Sequence, residues 1–438
     1  MKKLIYTIVL LLCAAVTEVT AQEFKLSAEI RPRSELRNGF KKLRTDTQEP
    51  AFFTEQRSRL NLDYKSDNII MRLSLQDVRL WGSTNQIYKT DPNALTNISE
   101  AWAQYNFNEK IGVKVGRQII SYDNQRFLGG LEWAQQGRRH DAALFIYDDK
   151  ASKFKFHVGL AFNQAGFEPG KLVGNDYTGV NNYKAMEYIW AHKDWETGKL
   201  SALVFNDAFQ YGSTSDSVSQ RQTLGLVGSK SFGGLTVAGE GYYQTGTLGM
   251  ADVNAYMLDL NLTVKTKVTP ITLGYQVLSG GDAESGEMKN FAPAYGTNHK
   301  FNGFMDYFYV GNAHNDKKGN SAGLQDIYLN TAFKVGKGTF KAQLHQFISA
   351  VDIYNTVEGS DSQFEKVSSN LGTEIDLIYA RSLGKDASLL VGYSQMFATS
   401  SMEVLKGGNA DLINNWAFVM LTFKPTLFVS KAKKEANN

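Results

Sequence analysis

The chain has 438 residues, a formal net charge of +3 at pH 7 and a single cysteine, with 39 glycines, 21 tyrosines and 26 phenylalanines against only 7 prolines. So small a charge lacks the basic stripe of a nucleic-acid binder, and a lone Cys13 excludes a disulfide scaffold or a thiolate metal site. Beyond the amino terminus no stretch reaches the roughly 18 uncharged apolar residues of a membrane-spanning helix, so a helical membrane protein is excluded as well.

Met1-Lys2-Lys3, the apolar run Leu4 to Val16 and the small residues Val19-Thr20-Ala21 predict a secretory signal peptide over residues 1–21. Cys13 falls inside it, preceded by Leu12 where a lipidated cysteine would follow a small residue. Length alone suggests two or three domains. No Pro/Ser-rich linker interrupts Gln22 to Phe423, however, so residues 22–428 are expected to form one domain, followed by a polar tail over 429–438.

From Phe24 onward the pattern is alternation with period two. In "FKLSAEIRPRSELR", Phe24, Leu26, Ala28, Ile30 and Leu36 share one face, while Lys25, Glu29, Arg31, Arg33, Glu35 and Arg37 share the other. The pattern returns in "KFKFHVGLAF", "AYMLDLNLTVK" and "FKAQLHQF". Segments of about 10 to 14 residues exceed the five or six of a sandwich strand and fit a tilted strand that crosses a bilayer.

A strand array in lipid must close on itself to satisfy its backbone. The expected fold is therefore all-β, a transmembrane antiparallel barrel of about 18 strands. Short turns are expected at Lys65–Asn68, Asn108–Lys110, Asp149–Ser152, Asp194–Gly198, Gly233–Gly234, Lys267–Thr269, Gly336–Gly338 and Leu383–Asp386. Longer connections fall near 38–51, 83–96, 122–137, 164–182, 212–218, 248–251, 281–322, 353–368 and 400–410. Eight short turns and nine long loops put both termini in the periplasm and the long loops outside, provided that Phe301 to Gly311 is loop. The apolar face then meets lipid and the polar face lines a lumen, and Tyr242-Tyr243 and Trp190/Trp195 read as interfacial girdles.

The densest charge lies in "VGRQIISYDNQRFLGGLEWAQQGRRHDAAL", Val115 to Leu144, read as a strand, an outer loop and a returning strand. With it, Arg31, Arg33, Arg37, Arg57, Arg59, Arg72, Arg79, Arg117, Arg126 and Arg139 form a candidate arginine ladder. Guanidinium forks bind carboxylates bidentately, which suits an acidic solute. The bland alternative is that they only pair with Glu29, Glu35, Glu55 and Asp141 and hold the wall together. Strict alternation puts Arg117 on the lipid side with Ile111, Val113 and Val115, so either a bulge at Gly116 re-aims it or it sits near the interface.

A hydrolytic barrel is the competing class. His140, His157, His192, His299, His314 and His345 carry no metal-binding helix motif and no nucleophile-elbow serine, and they read as solvated lumen or loop residues. "GGDAESGE", with Asp282, Glu284 and Glu287, matches no specific calcium spacing and reads as a solvated acidic loop. Catalytic residues, metal and cofactor are accordingly expected to be none.

"GRQIISYDNQRF", "GRRHDAAL" and "NHKFNGFMDYF" together resemble the alginate-export family of outer-membrane barrels. That resemblance implies an 18-stranded barrel conducting an anionic polysaccharide through an arginine-rich constriction, without chemistry. It implies that Arg117, Arg126, Arg139 and Asp141 belong to the constriction, and His299, Gly303 and Asp306 to a structured outer loop.

The sequence thus points to a passive channel in the outer membrane of a Gram-negative bacterium. Its expected partners are outer-membrane lipid, an anionic or neutral saccharide solute and the insertion machinery, with no nucleic acid and a monomeric state. A barrel-embedded hydrolase and a general or structural porin remain as alternatives.

Overall fold

The computed structural model describes residues 22–84, 96–164, 177, 182–211, 217–293, 295–309 and 314–430. The signal segment 1–21 and tail residues 431–438 lie outside the described residues. Period-two alternation becomes strand after strand: β1 (Glu23–Asn38), β2 (Ala51–Lys65), β3 (Ile69–Leu80), β4 (Thr96–Asn106), β5 (Ile111–Gln118), β6 (His140–Asp149), β7 (Phe154–Phe162), β8 (Ala185–Asp194) and β9 (Gly198–Gln210). There follow β10 (Val218–Phe232), β11 (Leu235–Leu248), β12 (Ala251–Lys265), β13 (Pro270–Leu278), β14 (Leu324–Val335), β15 (Gly338–Ile348), β16 (Asn370–Ser382) and β17 (Ala387–Ala398). The last, β18, runs over Asn414–Phe423 and resumes at Thr426–Ser430.

Each strand pairs antiparallel with the next, and the ring is closed by β1 on β18. The break in β18 falls at Lys424–Pro425, because proline has no N–H to give the ladder. Its carbonyl still accepts Ala28 N at 3.1 Å. Eighteen strands therefore form a sheet without an edge, which is what a backbone in hydrocarbon requires. Pairing of Phe24 with Ser430 and Lys25 with Val429 extends the barrel two residues past the expected boundary at 428.

The strand ends place the eight short connections at one end and the other nine connections at the opposite end; one of those nine, expected to be long at 248–251, is the two-residue turn Gly249-Met250, and parts of the connections near 83–96, 164–182 and 212–218 lie outside the described residues. Phe301 to Tyr309 is loop. Where the barrel begins and ends, at Glu23 and Ser430, the chain lies at the short-turn end.

On β12, Leu258, Leu260, Leu262 and Val264 stand exposed outward, and this apolar band recurs around the ring. Toward the long-loop end, outward side chains switch to polar pairs. Trp81 donates to Gln56, Tyr243 to Asn254, Tyr275 to Gln325, Thr373 to Gln346 and Tyr393 to Gln395. This collar marks the upper border of the lipid band.

The inner face departs from the expected uniformly polar lining. Along β12 it reads Val253, Ala255 and Met257 near the loops, then Asp259, Asn261 and Thr263 toward the turns. Trp190 and Tyr242, expected in girdles, are buried inside, while Trp195 and Tyr243 stay exposed. The apolar half of the lumen wall is where long loops fold in and pack, forming two buried clusters.

Candidate functional site

β1 presents Glu29, Arg31, Arg33 and Glu35 inward, and β2 presents Arg57 and Arg59 beside them; all but Arg59 are buried. The connection over residues 119–139 covers them by folding back into the barrel. Arg31 Nη1 donates to the Glu132 carbonyl at 2.7 Å and Nε to Gln135 Oε1 at 3.1 Å, while Arg33 Nη1 donates to the Trp133 carbonyl at 2.7 Å. Backbone carbonyls thus satisfy cations that would otherwise be stranded in a dry wall.

At the centre sits the Glu132 carboxylate. It lies 2.7 Å from Arg59 Nη1, 3.1 Å from Arg57 Nη1 and 2.8 Å from Arg139 Nη2. Gly137, at φ +68, makes room for this approach: a Cβ there would stand 2.7 Å from Arg139 Nη1 and 2.9 Å from Glu132 Oε1. Burial pushes the Glu132 carboxyl up, but Arg59, Arg139 and Arg57 outweigh it and hold the group down to about 2. The wall has its own counter-ions as well, with Glu29 on Arg57 and with Glu35 at 2.7 Å and Glu55 at 3.1 Å from Arg33.

A second inward loop joins β13 to β14. Its tip is docked by carboxylates that accept backbone amides: Met305 N donates to Glu374 Oε1 at 2.8 Å and Phe304 N to Asp376. Asn302 Nδ2 donates to Gln276 Oε1 at 2.7 Å and Asp326 Oδ2 at 3.0 Å. Gly303, at φ +79, packs where a Cβ would stand 2.6 Å from the Glu374 oxygens. His299 and Asp306 meet at 2.8 Å.

The two loops lock together. Trp133 stacks on His299 at 4.4 Å and meets Trp416 and Phe418 edge-on. Arg126 lies 3.5 Å over the Phe301 ring, with Glu240 at 3.4 Å and Asn302 Oδ1 at 3.3 Å. Beneath this junction a cavity of about 170 Å³ opens between Arg126, Lys300, Asp259 and Tyr328.

Of the residues singled out by sequence, Arg31, Arg33, Arg57, Arg59, Arg126 and Arg139 converge on this constriction. Arg79, Arg117 and Asp141 do not, which corrects their place in the pathway. Gly116 does kink, at φ +114, but Arg117 keeps its register with Ala101 and so keeps its outward side. It forms a fork with Asp141, at 2.9 and 2.6 Å, within the polar collar. Arg79 pairs with Asp77 at 2.6 Å on the same outer face. His299, Gly303 and Asp306 belong to an outer connection whose tip lies inside and not outside. Sequence reasoning missed Glu132, Trp133, Glu374 and Asp376. Glycines at 129, 130 and 137 bracketing "LEWAQQ" were the available sign that an acidic-aromatic pair sits on a tight inward loop.

The histidines are packed and not solvated. His140 bonds Tyr183 at 2.8 Å, His345 bonds Asp326 at 2.9 Å, and His157 bonds Tyr122 at 2.9 Å. His192 lies between Ser201, 2.7 Å from Nδ1, and Asp194, 3.1 Å from Nε2, the reverse of a serine-hydrolase triad, in which the serine meets Nε2 and the acid Nδ1. Moreover, the Ser201 hydroxyl donates to Asp123, and Ser201 is paired on both sides within the sheet. Neighbouring amides are spent on the ladder, so no donor pair awaits an oxyanion. In the acidic loop, Asp282 caps a short turn, and Glu284 and Glu287 pair with Lys318 and Lys289.

An edge-free barrel with an apolar outer band, a charged lumen and long loops at one end is the architecture of an outer-membrane channel. The chain belongs to the alginate export family, which matches residues 22–399. It resides in the outer membrane of a Gram-negative bacterium, in contact with its lipid. Among solved structures, OccAB4 of Acinetobacter baumannii superposes with a TM-score of 0.59 at 12% identity, covering 93% of this chain and 99% of that one. OpdK of Pseudomonas aeruginosa, an outer membrane protein, gives 0.58 at 9% identity, over 92% and 98%. OccK8 (OprE) of the same organism gives 0.57 at 10% identity, again over 92% and 98%. At such identities the likeness is one of fold. Among curated proteins, none matches the chain in sequence.

Proposed function

We propose that the protein is a passive channel for anionic polysaccharides, oligosaccharides or sugar acids, selected by the lumen arginines Arg31, Arg33, Arg57, Arg59, Arg126 and Arg139. One observation carries this reading: the Arg57, Arg59 and Arg139 cluster already holds a carboxylate, that of Glu132. A solute carboxylate offers these guanidinium groups the same chemistry. Glu29, Glu35 and Glu55 prevent over-tight retention, since conduction requires that binding be strong enough to enter and weak enough to leave. Neutral saccharides would pass more slowly, without the ionic contacts. The reading further includes a cleaved signal at 1–21, assembly by the outer-membrane insertion machinery and a monomeric working state.

The test is the reversal potential of single channels in a planar bilayer under a salt gradient. Anion preference that falls on Arg59→Gln supports the reading. A cation-selective pore indifferent to that change overturns it and leaves a general porin.

A further inference from the structure

A second basic site lies apart from the constriction, at the long-loop rim. Residues 37–44 with Gln48, Glu49 and Ala51, together with the end of the helix Ser400–Lys406, line a cavity of about 760 Å³. Its lining carries Arg37, Lys41, Lys42, Arg44 and Lys406 with one lining carboxylate, Glu49; Arg37 is also held by Glu35 at 2.9 Å and Lys406 by His314 at 3.0 Å, which leaves Lys41, Lys42 and Arg44 as the cations most open to a ligand. The volume falls within the range of small-ligand sites. We propose that this cavity is a landing site for a saccharide bearing several acidic groups, held before it enters the pore. The proposal rests on the anion-channel reading and adds to it a separate outer binding site.

The site is built, not merely decorated. The Arg44 amide donates to Asn414 Oδ1 at 2.7 Å, Asn38 Nδ2 donates to the Ile413 carbonyl at 2.8 Å, and the Tyr307 hydroxyl donates to the Gly39 carbonyl. Gly39 and Gly408 lie so close to Asn414 and to the Leu43 backbone that a Cβ on either would collide. Lys41 sits at φ +66, a conformation unfavourable to a lysine, with its amide fixed to the Met305 carbonyl at 2.9 Å. A loop under such constraint holds its side chains in place before any ligand arrives, which lowers the ordering cost of binding.

Aromatic rings hold the cations in place: Arg37 stacks over Phe40 at 4.3 Å and Phe53 at 4.8 Å, while Lys41 Nζ stands 4.9 Å from the Tyr309 ring. Burial, with a smaller part from Lys42, pushes Lys406 down to about 7. Arg37 also stands on the inner face of β1, as Arg33 and Arg31 do, about 13 Å along the strand from Arg33 with Glu35 between them. A ligand seated at the rim is therefore one acidic rung away from the arginines of the wall.

The experiment measures binding to the full protein in detergent by calorimetry, with trigalacturonate as probe and maltotriose as its neutral counterpart. Trigalacturonate should bind and maltotriose should not. The Lys41→Gln/Lys42→Gln variant should lose about tenfold in affinity, as expected for removing charge-assisted contacts, while its reversal potential in potassium chloride stays that of the parent. Glu49→Gln should bind more tightly, a gain that a misfolded variant cannot imitate. Unchanged trigalacturonate affinity in both variants, or equal binding of maltotriose, overturns the rim site even if the pore proves anion-selective. A cation-selective pore that still binds trigalacturonate at the rim overturns the channel reading alone. A phosphorylated lipid A added in micelles should not displace trigalacturonate; if it does at equal concentration, the cavity is a lipid headgroup site and the proposal fails.

Discussion

Glu132 Oε2 lies 2.7 Å from Arg59 Nη1, although the two residues are 73 positions apart and on different sides of the lumen's packing: one on a barrel strand, the other on a loop turned inward. This contact joins the inward loop to the strand wall, and Arg57 and Arg139 share the same carboxylate. Its removal therefore changes two things at once, the charge of the passage and the hold on the loop.

Glu132→Gln should raise anion preference, since it strips the one loop carboxylate from three guanidinium groups. A shift in the permeability ratio of roughly two- to threefold toward anions is expected from adding unit positive charge in a narrow aqueous passage. Single-channel recordings under a salt gradient check this, and a shift toward cations would contradict the assigned role.

The same carboxylate sets a pH window. Free of its partners Glu132 titrates near 4.5, and docked among the arginines it titrates at about 2. A folded value below the free one means that the docking contribution is complete above about 4.5 and is lost as pH falls toward 2. Conductance should be level from pH 8 to 5 and should rise or become noisy below about 4.5, whereas the Glu132→Gln channel should lack this transition.

Gly303→Ala should release the second loop. The added methyl meets the Glu374 carboxylate, and φ +79 is itself costly for alanine by about 1 kcal/mol. With overpacking of roughly 1–3 kcal/mol added, the tip undocks and the channel conducts more. Limited proteolysis near Phe301 to Tyr309 and conductance measured together check it; an intact loop with raised conductance would refute the coupling.

Arg117→Ala and Arg79→Ala should leave the reversal potential where it is, because both side chains face outward. Exposed ion pairs contribute at most about 1 kcal/mol, so the thermal unfolding of Arg117→Ala/Asp141→Ala should stay close to that of the parent. Arg59→Gln, by contrast, should move the reversal potential toward cations. A selectivity change in the Arg117 variant would put that side chain back in the pathway.

Trp133→Ala should separate the two loops, since its ring stacks on His299 and packs against Trp416 and Phe418. Trp133 is only partly buried, so the cost should fall below the roughly 3–5 kcal/mol of a fully buried tryptophan. The loop should then exchange backbone amide hydrogens faster over residues 130–137, measured by mass spectrometry, with the barrel strands unaffected.

Strand number, the eight short turns and the positions of the nine opposite connections were legible because a barrel strand obeys a purely local rule, one residue in and the next out; only the length of the 248–251 connection, a two-residue turn, was misjudged. Arg31, Arg33, Arg57 and Arg59 followed from the same rule. It says nothing about what fills the interior. Leu144, Met186, Phe205 and Met257 obey alternation yet face an apolar lumen, because residues far away in sequence fold in to meet them. Arg117 shows the reverse case, where the glycine beside it invited an exception and the backbone did not take it. Glu132 was invisible as a centre because its three partners come from β2 and from the far end of its own loop.

The seam between β1 and β18 has a consequence for how the molecule comes into being. Phe24 and Ser430 are neighbours in space but separated by 406 positions, so bringing them together carries a large loop-closure entropy and is expected to come last. Until then β1 and β18 are two exposed borders, each ready to pair with a foreign strand. Pro425 leaves one rung out of that final zipper. The finished wall is therefore only as complete as its last five residues, and a chain that lost Thr426–Ser430 would open along this line rather than anywhere else.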